Sequence, residues 1–286
     1  MAVPVVATGT YCEAVTDTPP PLKELVREST GTSVRRVGRF IQLALIGAGR
    51  AAGDVPANTA IYLGSGRGDL DAMAEALETI CVEKQAPRPL LFINTVSNAA
   101  CFYVARTLEL QAASHFVSSR HFALESALQS ALVDMRCGAV DSALLGIVDV
   151  VAGTAAEHAQ RVGLAAGQAV AEASHWLQLQ RDPGARPVLG TVDAVEFFGD
   201  RAQAQERLEK LARNGGTFFA PGQYLGSEAA DWSRRLALDI WRSEPAGHFD
   251  SRAAGVLCDF LERGSGCLLH LNRDPRGRYA AVVVSR

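Results

Sequence analysis

One segment, residues 117–148, constrains the fold of this chain more than any other. Over residues 124–135, apolar residues recur at the spacing of one helix face and polar residues cover the other side. Gly138 then favours a helix end, and residues 142–148 form a nearly continuous apolar run, which is typical of a strand covered on both faces. With a short strand at residues 115–117, this makes a strand–helix–strand unit, for which we expect a mostly parallel sheet and a right-handed crossover.

The C-terminal part of the chain repeats this pattern. Residues 251–262 have helical periodicity, residues 267–271 read as a strand, and a last strand at 279–284 follows the turn signature DPRG. In the first part, the apolar strand is likewise followed by a strand-like stretch at residues 168–179. Because both parts end helix–strand–strand, we interpret the chain as a divergent internal duplication. The expected halves are residues 1–188 and 189–286, packed as one compact unit.

The N-terminal half contains further alternating elements. The patterns predict strands at residues 3–8 and 59–63, helices at residues 37–52, 69–81 and 98–110, and a linker at residues 87–89. Alternation of this kind is typical of an α/β protein.

Composition and charge exclude several classes of function. The 286 residues are 48% hydrophobic and 21% charged, which is typical of a globular rather than a disordered chain. A net charge of −3 and a pI near 6.1 give no basic surface for nucleic acid. No apolar run reaches the length of a membrane span, and no secretory signal is visible, so we expect a cytoplasmic protein with no membrane partner.

The six cysteines form no CxxC pair and no cluster with histidine at metal-ligand spacing. We therefore predict reduced thiols, no metal and no cofactor. Two glycine-rich stretches bear on the prediction that no cofactor is bound. Residues 47–53 (GAGRAAG) resemble a dinucleotide-binding loop, but helical periodicity precedes them and Pro56 breaks any following helix. Residues 64–68 (GSGRG) follow a strand and precede a helix, so they either hold a phosphate or form a tight turn.

Two histidines stand where the repeated helices begin, His121 and His248. A helix start offers unpaired backbone N–H groups and the positive end of the helix dipole, and α/β proteins place nucleophiles and oxyanion donors there. A duplication would bring the two helix starts together. The alternative for each histidine is an ordinary capping or half-buried role. Further candidate nucleophiles are Cys101 and the hydroxyl of Ser119 or Ser118, which could pair with the nearby His121 imidazole.

Several motifs resemble the β-ketoacyl synthase family. Residues 117–128 (VSSRHFALESAL) are similar to its nucleophile segment, and residues 137–146 (CGAVDSALLG) are similar to its G-x-x-D-x-A-L-x-G strand. Weaker matches occur at residues 94–100, 163–172 and 247–248. The resemblance implies the thiolase-like α/β fold, with two duplicated halves and mixed sheets in an α/β/α/β/α layering, and with the second half shortened.

The departures from that family indicate lost catalysis. By this resemblance, His121 stands where the family has the cysteine that takes the acyl chain, and imidazole is a poor carrier of a stable acyl group. The family's H-G-T-G-T histidine has no counterpart in residues 215–226, and the lysine before the Gly-His motif is missing. His248 is then the one retained catalytic histidine.

This pattern resembles the chain-length factors of type II polyketide and aryl polyene pathways. The resemblance implies a non-catalytic subunit that pairs with an active β-ketoacyl-ACP synthase in polyketide, aryl polyene or fatty-acid-type chain elongation, and meets acyl carrier protein through it. It also implies interface or tunnel positions at Asn98, Phe102, Tyr103, Phe116, Val117 and Ser118. For Phe102 and Tyr103, the alternative is the chain's own core.

Two other functions stay open. The chain could be a divergent acyltransferase or 3-oxoacyl-ACP synthase that uses Ser119, Cys101 or His121 as an unusual nucleophile. It could instead be a homodimer that binds an acyl ligand without turning it over.

Overall fold

A computed structural model describes residues 2–16, 20–96, 98–164, 168–212, 216–243, 246–250 and 252–286. Within these residues, ten strands form one mixed sheet. The first five are β1 (Val3–Ala14), β2 (Ala60–Ser65), β3 (Ser114–Ser118), β4 (Ser142–Asp149) and β5 (Ala171–Gln180). The second five are β6 (Gly190–Phe198), β7 (Thr217–Pro221), β8 (Asp239–Ile240), β9 (Cys267–Arg273) and β10 (Tyr279–Ser285).

Ten α-helices accompany the sheet in the described part of the chain. They are α1 (Leu22–Thr30), α2 (Arg39–Ala52), α3 (Leu70–Cys81), α4 (Pro89–Asn94), α5 (Ala99–Thr107), α6 (Ala123–Arg136), α7 (Ala155–Val162), α8 (Arg201–Leu211), α9 (Glu228–Leu236) and α10 (Arg252–Arg263). None of the helices in these residues is long and apolar enough to cross a membrane.

The strand order shows the same arrangement in the two halves of the chain. It runs β3-β2-β4-β5-β1 and then β6-β10-β9-β7-β8, so the second five strands repeat the order of the first five, mirrored about the β1–β6 contact. The directions repeat as well, since β2 is parallel to both β3 and β4, and β7 is parallel to both β8 and β9. Every other pair is antiparallel. The mostly parallel sheet that we expected is therefore wrong, because the strand after each strand–helix–strand unit returns antiparallel.

Two helices form the middle layer of the molecule. α6 and α10 carry the buried apolar faces that the sequence periodicity predicts, and they share one core with strands of both halves, including Leu145 of β4 and Val282 of β10. Buried Glu125 of α6 also places its Oε1 3.4 Å from Nε2 of His270 in β9. Both halves therefore bury apolar surface against the same pair of helices.

The outer faces of the sheet are covered separately. α2 packs against the first half in a core with Ile61, Leu144 and Trp176. The second half buries Trp232 of α9 and Leu208 of α8 against its own outer face. The result is the α/β/α/β/α layering that the resemblance implied. The second half is the shorter one, since it uses residues 190–285 where the first uses residues 3–180.

Several local predictions need correction. The linker at residues 87–89 leads directly into α4, because Pro89 occupies the first helical turn, where proline is tolerated. The helix expected at residues 98–110 ends at Thr107. The expected helix start at residue 251, and part of the 163–172 match, lie outside the described residues. The glycines at 47–53 belong to α2 and its end, and the Cβ position of Gly47 lies 2.4 Å from the Trp176 ring, so close packing explains that glycine.

Candidate functional site

The turn before α6 holds His121 through its backbone. The Ser119 N–H donates to the Ser65 carbonyl at 3.0 Å, and the Phe122 N–H donates to the Ser119 hydroxyl at 3.3 Å. The amide of Asn272 donates to the His121 carbonyl at 2.7 Å. Segments from both halves therefore fix this turn. The Ser119 hydroxyl thus accepts a backbone hydrogen bond within this turn, and no hydrogen bond between it and the His121 ring is present among the described residues.

The imidazole of His121 faces an aromatic ring. Its centroid lies 4.5 Å from the ring of Tyr224 in an edge-to-face arrangement. Burial, and then the charge of Arg120, lower the pKa of His121, so the ring is neutral near pH 7. Its buried Nδ1 has no hydrogen-bond partner within the described residues. A neutral imidazole against a phenol is not arranged as a nucleophile with a base.

His248 precedes α10 and is held by the strand that leads into β5. Its N–H donates to the Ala169 carbonyl at 2.8 Å, and its carbonyl accepts from the Ala171 N–H at 2.9 Å. Burial lowers the pKa of its imidazole as well. The backbone of the retained Gly-His motif is therefore fixed, and its side chain borders an open cleft.

Asp250, two residues after His248, is the centre of the site. Its Oδ2 accepts from Arg67 Nε at 2.5 Å, and its Oδ1 accepts from the Tyr224 hydroxyl at 2.8 Å. Gln223 donates its side-chain amide to the Asp250 carbonyl at 2.7 Å. The Asp250 and Arg67 side chains are only 5% and 19% exposed, so this ion pair is largely desolvated. The group of Arg67, Gln223, Tyr224 and Asp250 is called the Asp250 network below.

The turn after β2 is tied into the same region. Asp149, at the end of β4, accepts from the Gly66 N–H at 2.9 Å, and the Ser65 hydroxyl accepts from the Gly68 N–H at 2.9 Å. Backbone donors that could have bound a phosphate at residues 64–68 are thus used within the chain. The tight-turn interpretation is favoured, and the Cβ position of Gly66, 2.5 Å from Asp250 Cβ, shows why a side chain does not fit there.

A third histidine lies in the same region. His158 of α7 accepts from the Ala152 N–H at its Nδ1, at 3.3 Å. Burial lowers its pKa to about 4. Asp250 is close enough to oppose that shift, as it does at His121 and His248. Three imidazoles with lowered pKa values therefore lie within electrostatic range of one carboxylate, which is already paired with Arg67.

A cleft of about 560 Å³ opens beside this group. Its described lining includes residues 162–164 and 168–169 together with Gln223, Tyr224, Gly247, His248 and Arg252. The cleft gives small molecules access to His248 and to the phenol of Tyr224. Within the described residues, no group of three or more His, Cys, Asp or Glu side chains could hold a metal ion.

The other candidate nucleophile, Cys101, lies away from this site. It is fully buried in α5, where its thiol contacts the His115 carbonyl at 3.7 Å, and burial raises its pKa to about 12. A protonated thiol in the core between α2 and the sheet is inert. This position disfavours Cys101 as a nucleophile.

The predicted interface and tunnel residues cluster at the outer edge of the first half. Phe102 is 59% exposed and Asn98 and Ser118 are also exposed, whereas Tyr103, Phe116 and Val117 are half-buried. Phe116 packs edge-to-face on Phe40, and Val117 contacts the middle core. The alternative that Phe102 fills the chain's own core is therefore wrong, and for Tyr103 it holds in part.

Sequence reasoning missed most of the Asp250 network. Arg67, Tyr224 and Asp250 come from segments far apart in the chain, so no spacing pattern links them. One local signal for Asp250 exists in the sequence, because Asp250 directly follows residues 247–249 (GHF), which precede a predicted helix. Arg67 was likewise inside the glycine-rich turn. Nothing local marks Tyr224, which lies in the 3-10 turn Gln223–Leu225, or His158.

Comparison with solved structures places this architecture among known proteins. Over 99% of both chains, it is similar to one chain of AntDE:AntF (apo), the complex of a type II PKS acyl-carrier protein with its ketosynthase bound to the hexaketide, with a TM-score of 0.73 and 12% identity. The ishigamide ketosynthase/chain length factor is similar with a TM-score of 0.72 and 17% identity over 99% of both chains. A β-ketoacyl synthase from Burkholderia phymatum is similar with a TM-score of 0.74 and 11% identity, over 100% of this chain and 99% of that one.

At the level of sequence, no protein-family model matches the chain, and a search of curated proteins finds no match. The likeness is therefore one of structure, and it confirms the thiolase-like fold that the resemblance implied. The chain has the thiolase-like fold shared by β-ketoacyl synthases and ketosynthase/chain length factor pairs.

Proposed function

We propose that this chain is a ketosynthase-like subunit that pairs with an active β-ketoacyl-ACP synthase and does not itself carry the acyl chain. The observation that carries the proposal is the unpaired outer edge of β3 beside a cluster of exposed apolar side chains. Those two features together are called the pairing face. The ketosynthase/chain length factor pairs among the structural neighbours support a partner of this kind.

The edge of β3 offers free backbone groups. β3 pairs with β2 on one side and has no strand on the other among the described residues. The Ala113 carbonyl and the Ser119 N–H bond to β2. Because successive residues of a strand point their backbone groups to alternate sides, Ser114, Phe116 and Ser118 direct theirs outward. Such an edge is a template for another strand.

An apolar cluster extends from α5, which contacts β3, along α4 to α3. Nine of the thirteen exposed large hydrophobic side chains of the described residues fall between positions 73 and 102, and α5 contacts β3. They are Met73, Leu77, Ile80, Val82, Leu90, Phe92, Ile93, Val96 and Phe102. A concentration of this kind marks a protein–protein interface more often than a free surface. It supports burial against a partner subunit.

The site at the two helix starts supports a non-acylated role. His121 replaces the expected cysteine, is neutral, and faces Tyr224 rather than a nucleophile. Asp250 is paired with Arg67 and Tyr224, so it is not free to activate a neighbouring histidine. The role that fits best is to shape and stabilise a partner's site in polyketide, aryl polyene or fatty-acid-type elongation, with acyl carrier protein delivering chains to the partner. The structural neighbour in which a ketosynthase is bound to its acyl-carrier protein supports that role.

The test combines purification with mass measurement. The chain is expressed alone and together with a ketosynthase from the neighbouring locus. Each preparation is incubated with acyl-ACP thioesters, and the masses of the intact proteins are measured by mass spectrometry. We expect it to co-purify with the ketosynthase and to gain no acyl mass while the partner does. Ser118→Pro removes one outward N–H of β3 and should abolish co-purification, whereas Ser118→Ala should not.

Two outcomes would replace the proposal. If the chain alone becomes acylated, and His121→Ala, Ser119→Ala or Cys101→Ala removes the adduct, it is a divergent acyltransferase. If it forms a stable homodimer that does not bind the ketosynthase, and acyl compounds raise the thermal stability of that homodimer, it is an acyl-binding homodimer.

A further inference from the structure

A second cavity shares one lining residue, Arg252, with the cleft at His248. It has a volume of about 360 Å³, within the range of small-molecule sites. Thr10 and Cys12 of β1 line it from the sheet, and one side of α10 lines it from the middle layer. Ser243, in the segment before α10, completes the wall near Arg252.

Arg252 is the unusual group in this cavity. It is half-buried at the first residue of α10, and its Nη2 donates to the Ser243 carbonyl at 3.1 Å. That carbonyl is uncharged, and no carboxylate of the described residues forms an ion pair with Arg252. Burial lowers the pKa of the guanidinium, which still carries its charge at neutral pH. The cavity therefore contains a partly desolvated cation without an anion, an arrangement that is costly until an anion binds.

Two other half-buried arginines show what is missing at Arg252. Arg39 pairs with Glu172 at 2.6 Å, and Arg67 pairs with Asp250 at 2.5 Å. In both pairs the acid is supplied by a distant part of the chain. An anionic ligand in the cavity would give Arg252 the counter-charge that these arginines receive from within the described chain.

A second donor lies beside the guanidinium. Because the Ser243 carbonyl is bonded to Arg252, the hydroxyl of the same serine is also close to the guanidinium. That hydroxyl has no hydrogen-bond partner within the described residues. The first turn of α10 contains no acidic side chain that would compete with a bound anion. An anion at this end of the cavity is therefore attracted by a charge and by a hydroxyl.

The two carboxylates of the cavity lie farther along α10. Asp259 and Glu262 follow Arg252 by seven and ten residues, which is about 10 Å and about 15 Å along a helix axis. Asp259 is paired with Arg263, and Glu262 accepts from the Thr8 hydroxyl at 2.7 Å. These acids limit the negative charge that the cavity accepts. One negative charge at the Arg252 end fits better than the two charges of a phosphate ester.

The wall between these charged ends is apolar. It contains Phe249, Val256 and the half-buried Cys12. His175 also lines the cavity, but both of its ring nitrogens are buried, and the Cβ position of Gly255 in α10 lies 2.9 Å from its Nε2. The imidazole therefore offers a ligand only apolar surface. A ring or a short hydrocarbon chain matches such a wall.

We propose that the cavity between β1 and α10 binds a small monocarboxylic acid with an apolar body, whose carboxylate pairs with Arg252. A carboxylate matches the planar fork of guanidinium donors and carries the single negative charge that the cavity accepts. This inference does not rest on the pairing of the chain with a ketosynthase.

The probe is benzoate, and the control is benzamide, which has the same ring and a similar shape without the charge. Binding of each compound to the full chain is measured by ligand-observed NMR at pH 7.5. We expect benzoate to bind at least tenfold more tightly, the effect of a hydrogen bond to a charged group. Equal binding of the two compounds, or binding of neither, would overturn the proposal. Tighter binding of phenyl phosphate than of benzoate would contradict the choice of a carboxylate.

Cys12 shows where benzoate binds, because Cys12 lines this cavity and not the cleft at His248. The exposed Cys81 and Cys137 are replaced by serine, and modification of Cys12 by methyl methanethiosulfonate is followed by peptide mass spectrometry. We expect benzoate to slow this reaction and to leave that of Cys267, which is likewise half-buried, unchanged. Binding of benzoate without protection of Cys12 would contradict the assignment to this cavity.

Arg252→Gln removes the positive charge, so it should weaken benzoate binding at least tenfold and leave benzamide binding unchanged. Arg161→Gln is the matched control, since Arg161 also donates to a backbone carbonyl at 3.1 Å, that of Ala152, and does not line the cavity. Equal losses in the two variants would mean that benzoate responds only to the net charge of the surface.

One further variant tests whether the chain itself supplies an anion. Glu244 lies outside the described residues and is close to Arg252 in the sequence. Glu244→Gln should leave benzoate binding unchanged. If benzoate binds to this variant but not to the parent chain, Glu244 already neutralises Arg252 and the proposal is wrong.

Discussion

The hydroxyl of Tyr224 donates to Oδ1 of Asp250 at 2.8 Å, and the ring of the same tyrosine packs edge-to-face on His121. One side chain from the second half thus connects the starts of α6 and α10. In a thiolase-like fold these helix starts are the places suited to a nucleophile and its oxyanion donors. Here they are joined by a structural contact.

Tyr224→Phe should lower the free energy of unfolding by about 1–2 kcal/mol, because it leaves Asp250 Oδ1 buried with one bond fewer. Tyr11→Phe is the matched control, since the buried Tyr11 hydroxyl has no partner within the described residues. That change should be neutral to within about 0.5 kcal/mol. Urea denaturation measures both, and equal losses would mean that the Tyr224 hydroxyl contributes nothing specific.

Arg67→Gln should cost about 3–5 kcal/mol, because it leaves the Asp250 carboxylate buried without its counter-charge. Arg207→Gln breaks an ion pair of similar length with Glu196 at the surface and should cost less than about 1 kcal/mol. Thermal unfolding of the two variants gives the comparison. A mild effect at Arg67 would show that solvent reaches Asp250.

The free energy of unfolding should fall as the pH is lowered, because the fold holds buried neutral histidines. The pKa of His175 is lowered to about 4 in the fold, against about 6.5 in an unfolded chain, so the unfolded state binds the proton more readily. The contribution is fully present above about pH 6.5 and is lost as pH falls toward 4, by up to about 1.4 kcal/mol per pH unit. His158 behaves in the same direction.

The measurement is urea unfolding of the parent chain and of His175→Phe between pH 7.5 and 4.5. Because the variant has lost one titrating ring, its stability should decline less steeply than that of the parent. Carboxylates titrate in both proteins, so their contributions cancel in the difference between the two free energies of unfolding. Parallel curves would show that His175 is protonated as easily in the fold as outside it.

Val96→Lys should weaken pairing with the ketosynthase at least tenfold, since Val96 is 50% exposed within the pairing face and its burial would then require a charge to be desolvated. Val188→Lys introduces the same charge at a valine of similar exposure, 46%, outside that face. Sedimentation or pull-down with the partner distinguishes them. Neither variant should change the free energy of unfolding by more than about 0.5 kcal/mol.

The parts of the fold that the sequence predicted are those with strong local periodicity. α6 and β4 follow directly from an apolar helix face and a continuous apolar strand, and the resemblance around them supplied the layering. β6 was missed because Asp193 and Glu196 interrupt its alternation. The structure explains both, since Asp193 accepts from Thr191 and Glu196 pairs with Arg207.

The candidate site was predicted only in outline. His121 and His248 were found because each stands at a helix start, which is a local property. The bonds that define their surroundings join residues 67, 149, 224 and 250, and such long-range pairing leaves no trace in spacing or hydropathy. Whether the halves divide at residue 188, and which residues form the partner's tunnel, stay predictions.

The shared middle layer has a consequence for how the molecule is assembled. Because α6 and α10 each bury apolar surface against strands of both halves, a fragment ending near residue 188 would expose the inner face of α6, and its counterpart would expose that of α10. We therefore expect neither piece to fold by itself. We also expect the two halves to unfold together, so that a defect at either helix destabilises the whole chain.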